Sequence, residues 1–150
     1  MSEGPPALPP RLQRIVEDFR GVEGRDKLYL LLAYSASMPK VSDTLKSQPG
    51  EFEAVDDCTT PLFVHAESRD GKMAYTFDVP EVSPTVCGFA AILGLGLHDA
   101  TPEQVLQTPG DVFHQMDFHK LLTPQRMHES ATLLVHMKRL ARRELDASGG

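Results

Sequence analysis

The chain is poor in the features that mark several large classes of protein. It has only two cysteines in 150 residues and no Cys-x-x-Cys pair. Two thiols are too few for a disulfide framework, and a reducing cytosol would keep them as thiols. No apolar run approaches the ~20 residues that a bilayer-spanning helix needs. The longest, Phe89 to Leu97, is short and sits mid-chain. The N-terminus (MSEGPPALPP) lacks a basic stretch followed by an apolar one, so it does not read as a signal peptide, and a cytoplasmic location is expected. Positive charge is also in deficit: 15 Lys and Arg stand against 21 Asp and Glu, a formal net charge of −6. Nucleic-acid binding wants a basic patch, so it is not expected. Neither a P-loop nor a GxGxxG is present, and nucleotide binding has no support.

What is present fits a single soluble domain: 41% hydrophobic, 24% charged and a length near the common domain size. Residues 1–7 read as a frayed tail and residues 8–146 as one domain without repeats or linkers. Leu8, Leu12, Ile15, Val16 and Phe19 recur at helical spacing, with Gly21 as a stop. A second helix is expected from Arg25 to Ser35, with Leu28, Leu31 and Leu32 on one face and Pro39 beyond its end. The stretch from Val41 to Gly50 is polar, and Gln48-Pro49-Gly50 punctuates it as a turn.

The period then changes. Glu51 to Val55 is a short strand candidate, Leu62, Val64 and Ala66 alternate with Phe63, His65 and Glu67, and Met73, Tyr75, Phe77 and Val79 alternate in turn. Asp70-Gly71 between the last two runs predicts a hairpin, because a type I′ turn needs positive φ at both central residues. Helical signals return at Val86 to Leu97, apolar nearly all round and so a buried helix. Thr101-Pro102-Glu103-Gln104 is a capping box with Pro at the first helical position. Asp111 to Met116 reads as a short helix. Thr123-Pro124 starts a longer one with an apolar stripe of Met127, Ala131, Leu134, Met137, Ala141 and Leu145. Lys138, Arg139, Arg142 and Arg143 near its C-terminal end suit the helix dipole and read as a solvated face. The order is helices, strands, helices: an α+β fold with a small antiparallel three-stranded sheet packed against N- and C-terminal helices.

Cys58 is the residue with chemistry to offer. It sits in Val55-Asp56-Asp57-Cys58-Thr59-Thr60-Pro61, between the first two strands, in a polar loop. A lone cysteine is most often a small buried hydrophobe, but a core cysteine normally lies within an apolar run. The carboxylates of Asp56 and Asp57 favour the neutral thiol. That suits an acceptor activated in a partner's site better than a self-activated nucleophile. Cys87, among Val86, Phe89 and Ile92, reads as core. The six histidines do not fall at zinc spacing: His114 and His119 are five apart, and His128 and His136 eight apart. No metal site and no cofactor are therefore expected. A Cys58–His65 dyad for hydrolysis is an alternative without an oxyanion-hole signal.

The window from Val55 to Val64, centred on Cys58, resembles the signature of the SufE family. Three further stretches resemble that family in the same order: Ser83-Pro84-Thr85-Val86-Cys87-Gly88-Phe89-Ala90-Ala91-Ile92-Leu93, Thr101-Pro102-Glu103-Gln104-Val105-Leu106, and Leu121-Leu122-Thr123-Pro124-Gln125-Arg126. The similarity runs from about Leu8 to Leu145. It implies a SufE-like fold and a sulfur acceptor that works with a pyridoxal-phosphate cysteine desulfurase of the SufS type. Such a protein takes persulfide sulfur on the signature cysteine, stimulates the desulfurase, and passes sulfur towards an iron–sulfur scaffold complex. Cys58 is the matching acceptor. Asp57, Thr59 and Arg126 are the candidate partner-binding residues, Arg126 matching a basic residue of the family's LTPxR stretch. Asp57 stands where many members have Gly, Thr59 where Gln is usual, Cys87 where Lys or Arg is usual, and Glu81 and Val82 where many have Asp. A small cysteine-dependent hydrolase and a non-catalytic adaptor of the desulfurase are the alternatives.

Overall fold

A computed structural model describes residues 8–37, 52–55, 62–79 and 84–149. The tail expected at 1–7 and the turn at Gln48-Pro49-Gly50 lie outside the described residues. Helix α1 spans Pro10–Arg20 and α2 spans Arg25–Ala36. Three strands follow, β1 Glu53–Ala54, β2 Phe63–Arg69 and β3 Lys72–Asp78. Helix α3 spans Pro84–Gly96, α4 Pro102–Gln107 and α5 Val112–Gln115. A 3₁₀ turn at Phe118–Lys120 leads to the long α6, Pro124–Gly149.

Local chemistry explains most of these boundaries. Pro10 opens α1 at a position where the missing N–H costs nothing. Thr101 Oγ1 accepts from the Gln104 N–H at 3.1 Å, and the Gln104 side chain accepts from the Thr101 N–H at 2.9 Å: the expected capping box is formed. Asp70 and Gly71 take φ of 55° and 78°, the two positive values that a type I′ turn requires. That turn sets the register of β2 against β3, from Arg69↔Lys72 to Phe63↔Asp78.

The sheet is antiparallel throughout, in the order β1-β2-β3. Its period of two puts Leu62, Val64, Met73 and Phe77 on one buried face, against α3 and α6. The core continues into the helices through an aromatic cluster. Phe118 lies 5.1 Å from Phe19 and 6.0 Å from Phe89, and Phe89 lies 4.9 Å from Phe113, centroid to centroid. Helix α3 is buried along most of its length, as its uniform apolarity predicts.

Three expectations change in detail. Among the described residues the first strand is Glu53–Ala54, with the Val55 N–H continuing its ladder to Leu62, and Glu51 lies outside them. On α2, Leu31 is buried, Leu28 is half-buried and Leu32 is exposed. Helix α3 meets α2 at Leu31, with Gly88 directly against it, and Leu32 lies about 100° further round the helix. The basic cluster of α6 is only partly a solvated face. Lys138 is half-buried, and burial holds its ammonium below the usual lysine range. Arg143 pairs with Glu53 of β1, and Arg142 lies 3.5 Å from Asp146.

Candidate functional site

The sheet has two ends. At one, the Asp70-Gly71 turn joins β2 to β3. At the other, the Val55 N–H donates to Leu62 O at 2.9 Å and closes the β1–β2 ladder. The chain leaves the sheet at Val55 and returns at Leu62, both buried. Residues 56–61, and with them Cys58, Asp57 and Thr59, lie outside the described residues. Val79, where β3 runs out, flanks the same end, since Phe63 pairs with Asp78.

The helices beside this end are tightly coupled. The Cys87 thiol, in the first turns of α3, lies 3.6 Å from Ser35 O near the end of α2. Cys87 is half-buried rather than sealed in the core, so the core reading holds only in part. One residue on, Gly88 lets the two helices touch: a Cβ there would come within 2.5 Å of Leu31 Cδ1 and 3.0 Å of Leu31 O.

Arg126 is placed by the start of α6. Its N–H donates to Thr123 Oγ1 at 3.2 Å, so Thr123 is a working N-cap. Its Nη1 donates to Glu129 Oε1 at 2.8 Å. The Glu129 side chain is wholly buried, whereas that of Arg126 is 41% exposed. The guanidinium therefore reaches from solvent to a carboxylate in the interior. Sequence reasoning singled out Arg126 but not Glu129. The usable signal was the i+3 spacing, which turns Glu129 onto the side of α6 that also carries Ser130 and Leu133.

Two more polar groups were not anticipated. Lys27 is buried on the Leu31 face of α2, and its Nζ donates to Phe19 O at 2.6 Å and Met116 O at 2.5 Å. Glu53 meets both Arg143 and, at 3.9 Å, Nε2 of the buried His136. His65 stands on the sheet face opposite Val64, its ring 5.7 Å from that of Phe52 and its Nε2 3.7 Å from Glu67.

The histidines are closer in space than their spacing suggests. His114 and His119 stack with centroids 4.8 Å apart, and with His128 they line a cleft of about 440 Å³. Among the described residues, no three His, Cys, Asp or Glu side chains are placed to hold a metal ion. Among the same residues, no helix is long and apolar enough to cross a membrane.

Comparison with known proteins gives this geometry a family. The profile described as the SufE Fe-S metabolism associated domain matches residues 13–141. Proteins of two Mycobacterium tuberculosis strains, described as uncharacterized SufE-like proteins, are 33% identical over 139 residues, covering 92% of this chain and 96% of theirs. An uncharacterized SufE-like protein of Synechocystis is 28% identical over 120 residues, covering 79% of this chain and 72% of its own. The solution structure of a hypothetical protein from Thermus thermophilus superimposes with a TM-score of 0.81 at 33% identity, covering 93% of this chain and 99% of that one. The chain belongs to the SufE family, whose domain is associated with iron–sulfur metabolism.

Proposed function

We propose that this protein receives persulfide sulfur on Cys58 from a SufS-type, pyridoxal-phosphate-dependent cysteine desulfurase in the cytoplasm. It stimulates that enzyme and hands the sulfur towards an iron–sulfur scaffold complex. The observation that carries the reading is the family match over residues 13–141, within which Cys58 falls in the connection between two paired strand ends, Val55 and Leu62.

The chemistry balances without an external oxidant. The Cys58 thiolate attacks the terminal sulfur of the partner's cysteine persulfide. The partner's S–S bond breaks as a new one forms on Cys58, and the partner's cysteine leaves as a thiolate that recovers the proton lost by Cys58. Asp56 and Asp57 disfavour the Cys58 thiolate in isolation. The protein thus acts as a carrier that becomes competent beside its donor, with Asp57, Thr59 and Arg126 as the residues that meet the partner.

Incubation with a cysteine desulfurase and free cysteine, followed by peptide mapping by mass spectrometry, tests the assignment. The peptide containing Cys58 should gain the mass of one sulfur atom, and Cys87→Ser should leave that gain intact. Sulfur found mainly on Cys87, or full desulfurase stimulation by Cys58→Ser, would refute the carrier role, the latter in favour of an adaptor. Acyl-ester turnover abolished at Cys58 would instead establish a hydrolase.

A further inference from the structure

Among the described residues, strand β3 is an edge of the sheet, and half of that edge is open. Backbone groups alternate sides along a strand. The Met73 N–H donates to Ala100 O at 2.7 Å and Met73 O accepts from the Asp99 N–H at 3.0 Å, so Met73 turns its backbone away from β2 and the chain's own return covers it. By the same alternation, Tyr75 and Phe77 turn their N–H and C=O groups outward. Ala74, Thr76 and Asp78 face β2 opposite Glu67, His65 and Phe63. Among the described residues no backbone group pairs with Tyr75 or Phe77 on the outer side.

A cleft of about 370 Å³ runs along this open stretch. Tyr75, Thr76 and Phe77 form one wall and Ala90, Gly94 and Leu95 of α3 the other. Residues of both sheet faces line it, so the cleft lies at the edge itself. The α3 wall is small and apolar. Gly94 is overlain by the Phe77 ring, which a Cβ would approach to 2.7 Å, and Leu95 at the rim is 41% exposed. Natural proteins blunt open edges with charge, proline or bulges. Here the charges of β3, Lys72 and Asp78, stand at its ends, and the open part, Ala74 to Phe77, has none of these guards.

We propose that this cleft binds an extended, uncharged segment of a partner polypeptide, which pairs with Tyr75 and Phe77 as an added strand and sets alternate apolar side chains against Ala90, Gly94 and Leu95. Two donors and two acceptors, spread over about 7 Å of strand, are the complement of an extended peptide backbone. The rim has no net charge of one sign: Arg69 is paired with Glu67, and His98 lies 3.6 Å from Asp99. That disfavours a phosphate-bearing ligand. A second copy of this chain would bring its own α3 against the α3 already beside the edge. The inference is independent of sulfur transfer at Cys58, and Cys58→Ser should bind the segment equally well.

The probe is a blocked heptapeptide whose five central residues, alternating valine and threonine, are the uncharged pairing segment and whose terminal lysines only keep it in solution, added at millimolar concentration to the ¹⁵N-labelled full chain. Amide shifts should move at Tyr75, Thr76, Phe77 and Leu95, and hydrogen exchange at the Tyr75 and Phe77 amides should slow by about tenfold or more, as expected of newly paired groups. Leu95→Arg, at a solvent-exposed position, should weaken binding by about tenfold or more, and N-methylation of the peptide's pairing amides should abolish it. Shifts confined to another surface, or none at saturating peptide, would overturn the proposal. So would Tyr75 and Phe77 amides that become protected with rising protein concentration alone, which would assign the edge to a second copy.

Discussion

Arg126 Nη1 donates to Glu129 Oε1 over 2.8 Å, and of the two side chains only that of Arg126 reaches solvent. A carboxylate taken wholly out of water is tolerated because charged or hydrogen-bonding groups meet it there. Arg126→Ala should therefore lower stability by about 1–3 kcal/mol, as for a buried polar group losing a partner. Lysine should rescue little, since it lacks the planar fork. Adding Glu129→Gln to Arg126→Ala should recover part of the loss by removing a charge held out of water. Urea midpoints across this cycle are the measurement, and an Arg126→Ala midpoint equal to the parent's would show that the pair is dispensable to the fold.

Lys27 ties two helix ends together by donating to Phe19 O and Met116 O. Lys27→Met fills the same space but takes the donor from Met116 O and leaves Phe19 O with the Val22 N–H at 3.3 Å, and should cost about 2 kcal/mol. Burial lowers the pKa of Lys27 from 10.5, and the nearby Asp117 charge offsets this only in part. A depressed folded-state pKa means that the unfolded chain binds more protons in the window just below 10.5. Stability from this group is present above 10.5 and is lost as pH falls through the lowered value. Lys27→Met should remove that alkaline rise, and thermal melts across the window would expose its persistence.

Tyr75 acts in the opposite sense. Its hydroxyl donates to Met137 O at 2.9 Å, and burial, reinforced by Glu144, pushes its pKa well above 10. A raised folded-state pKa contributes stability that is complete below 10 and is lost as pH rises beyond it. Tyr75→Phe should cost about 1 kcal/mol at neutral pH and flatten the alkaline loss. In the parent, one phenol should titrate only as the chain unfolds, seen as tyrosinate absorbance that follows the loss of helix. A full complement of tyrosinate in the folded protein would contradict this.

Gly88 permits the contact between α2 and α3. Gly88→Ala puts a methyl group 2.5 Å from Leu31 Cδ1 and 3.0 Å from the Leu31 carbonyl, so backbone must move. The expected cost is about 1–3 kcal/mol, the range for overpacking a core. Leu31→Ala should make Gly88→Ala less harmful, because it removes the side-chain part of the clash. Two independent, additive losses would mean that the helices separate freely.

Much of the fold was determined by the sequence alone, wherever the deciding physics spans a few residues. Asp70-Gly71 supplies positive φ for the hairpin, Thr101 and Gln104 cap each other, and the period of two puts Val64 and Phe77 on one face. Cys58 stands out by its polar sequence neighbours and the family by its motifs, since both are read along the chain. Tertiary structure decided the rest, where burial depends on which element arrives from elsewhere. Lys27 and Leu32 sit on one helix, yet the Phe19 and Met116 carbonyls receive the buried lysine while the leucine is left in water. Glu129 looks like a surface residue until α6 is packed. His114 and His119 meet only because the chain turns between α5 and α6. The open edge of β3 is likewise invisible in the sequence. Hydrogen-bond partners across a sheet are long-range, and nothing within the strand says that, among the described residues, Met73 is covered while Tyr75 and Phe77 are not.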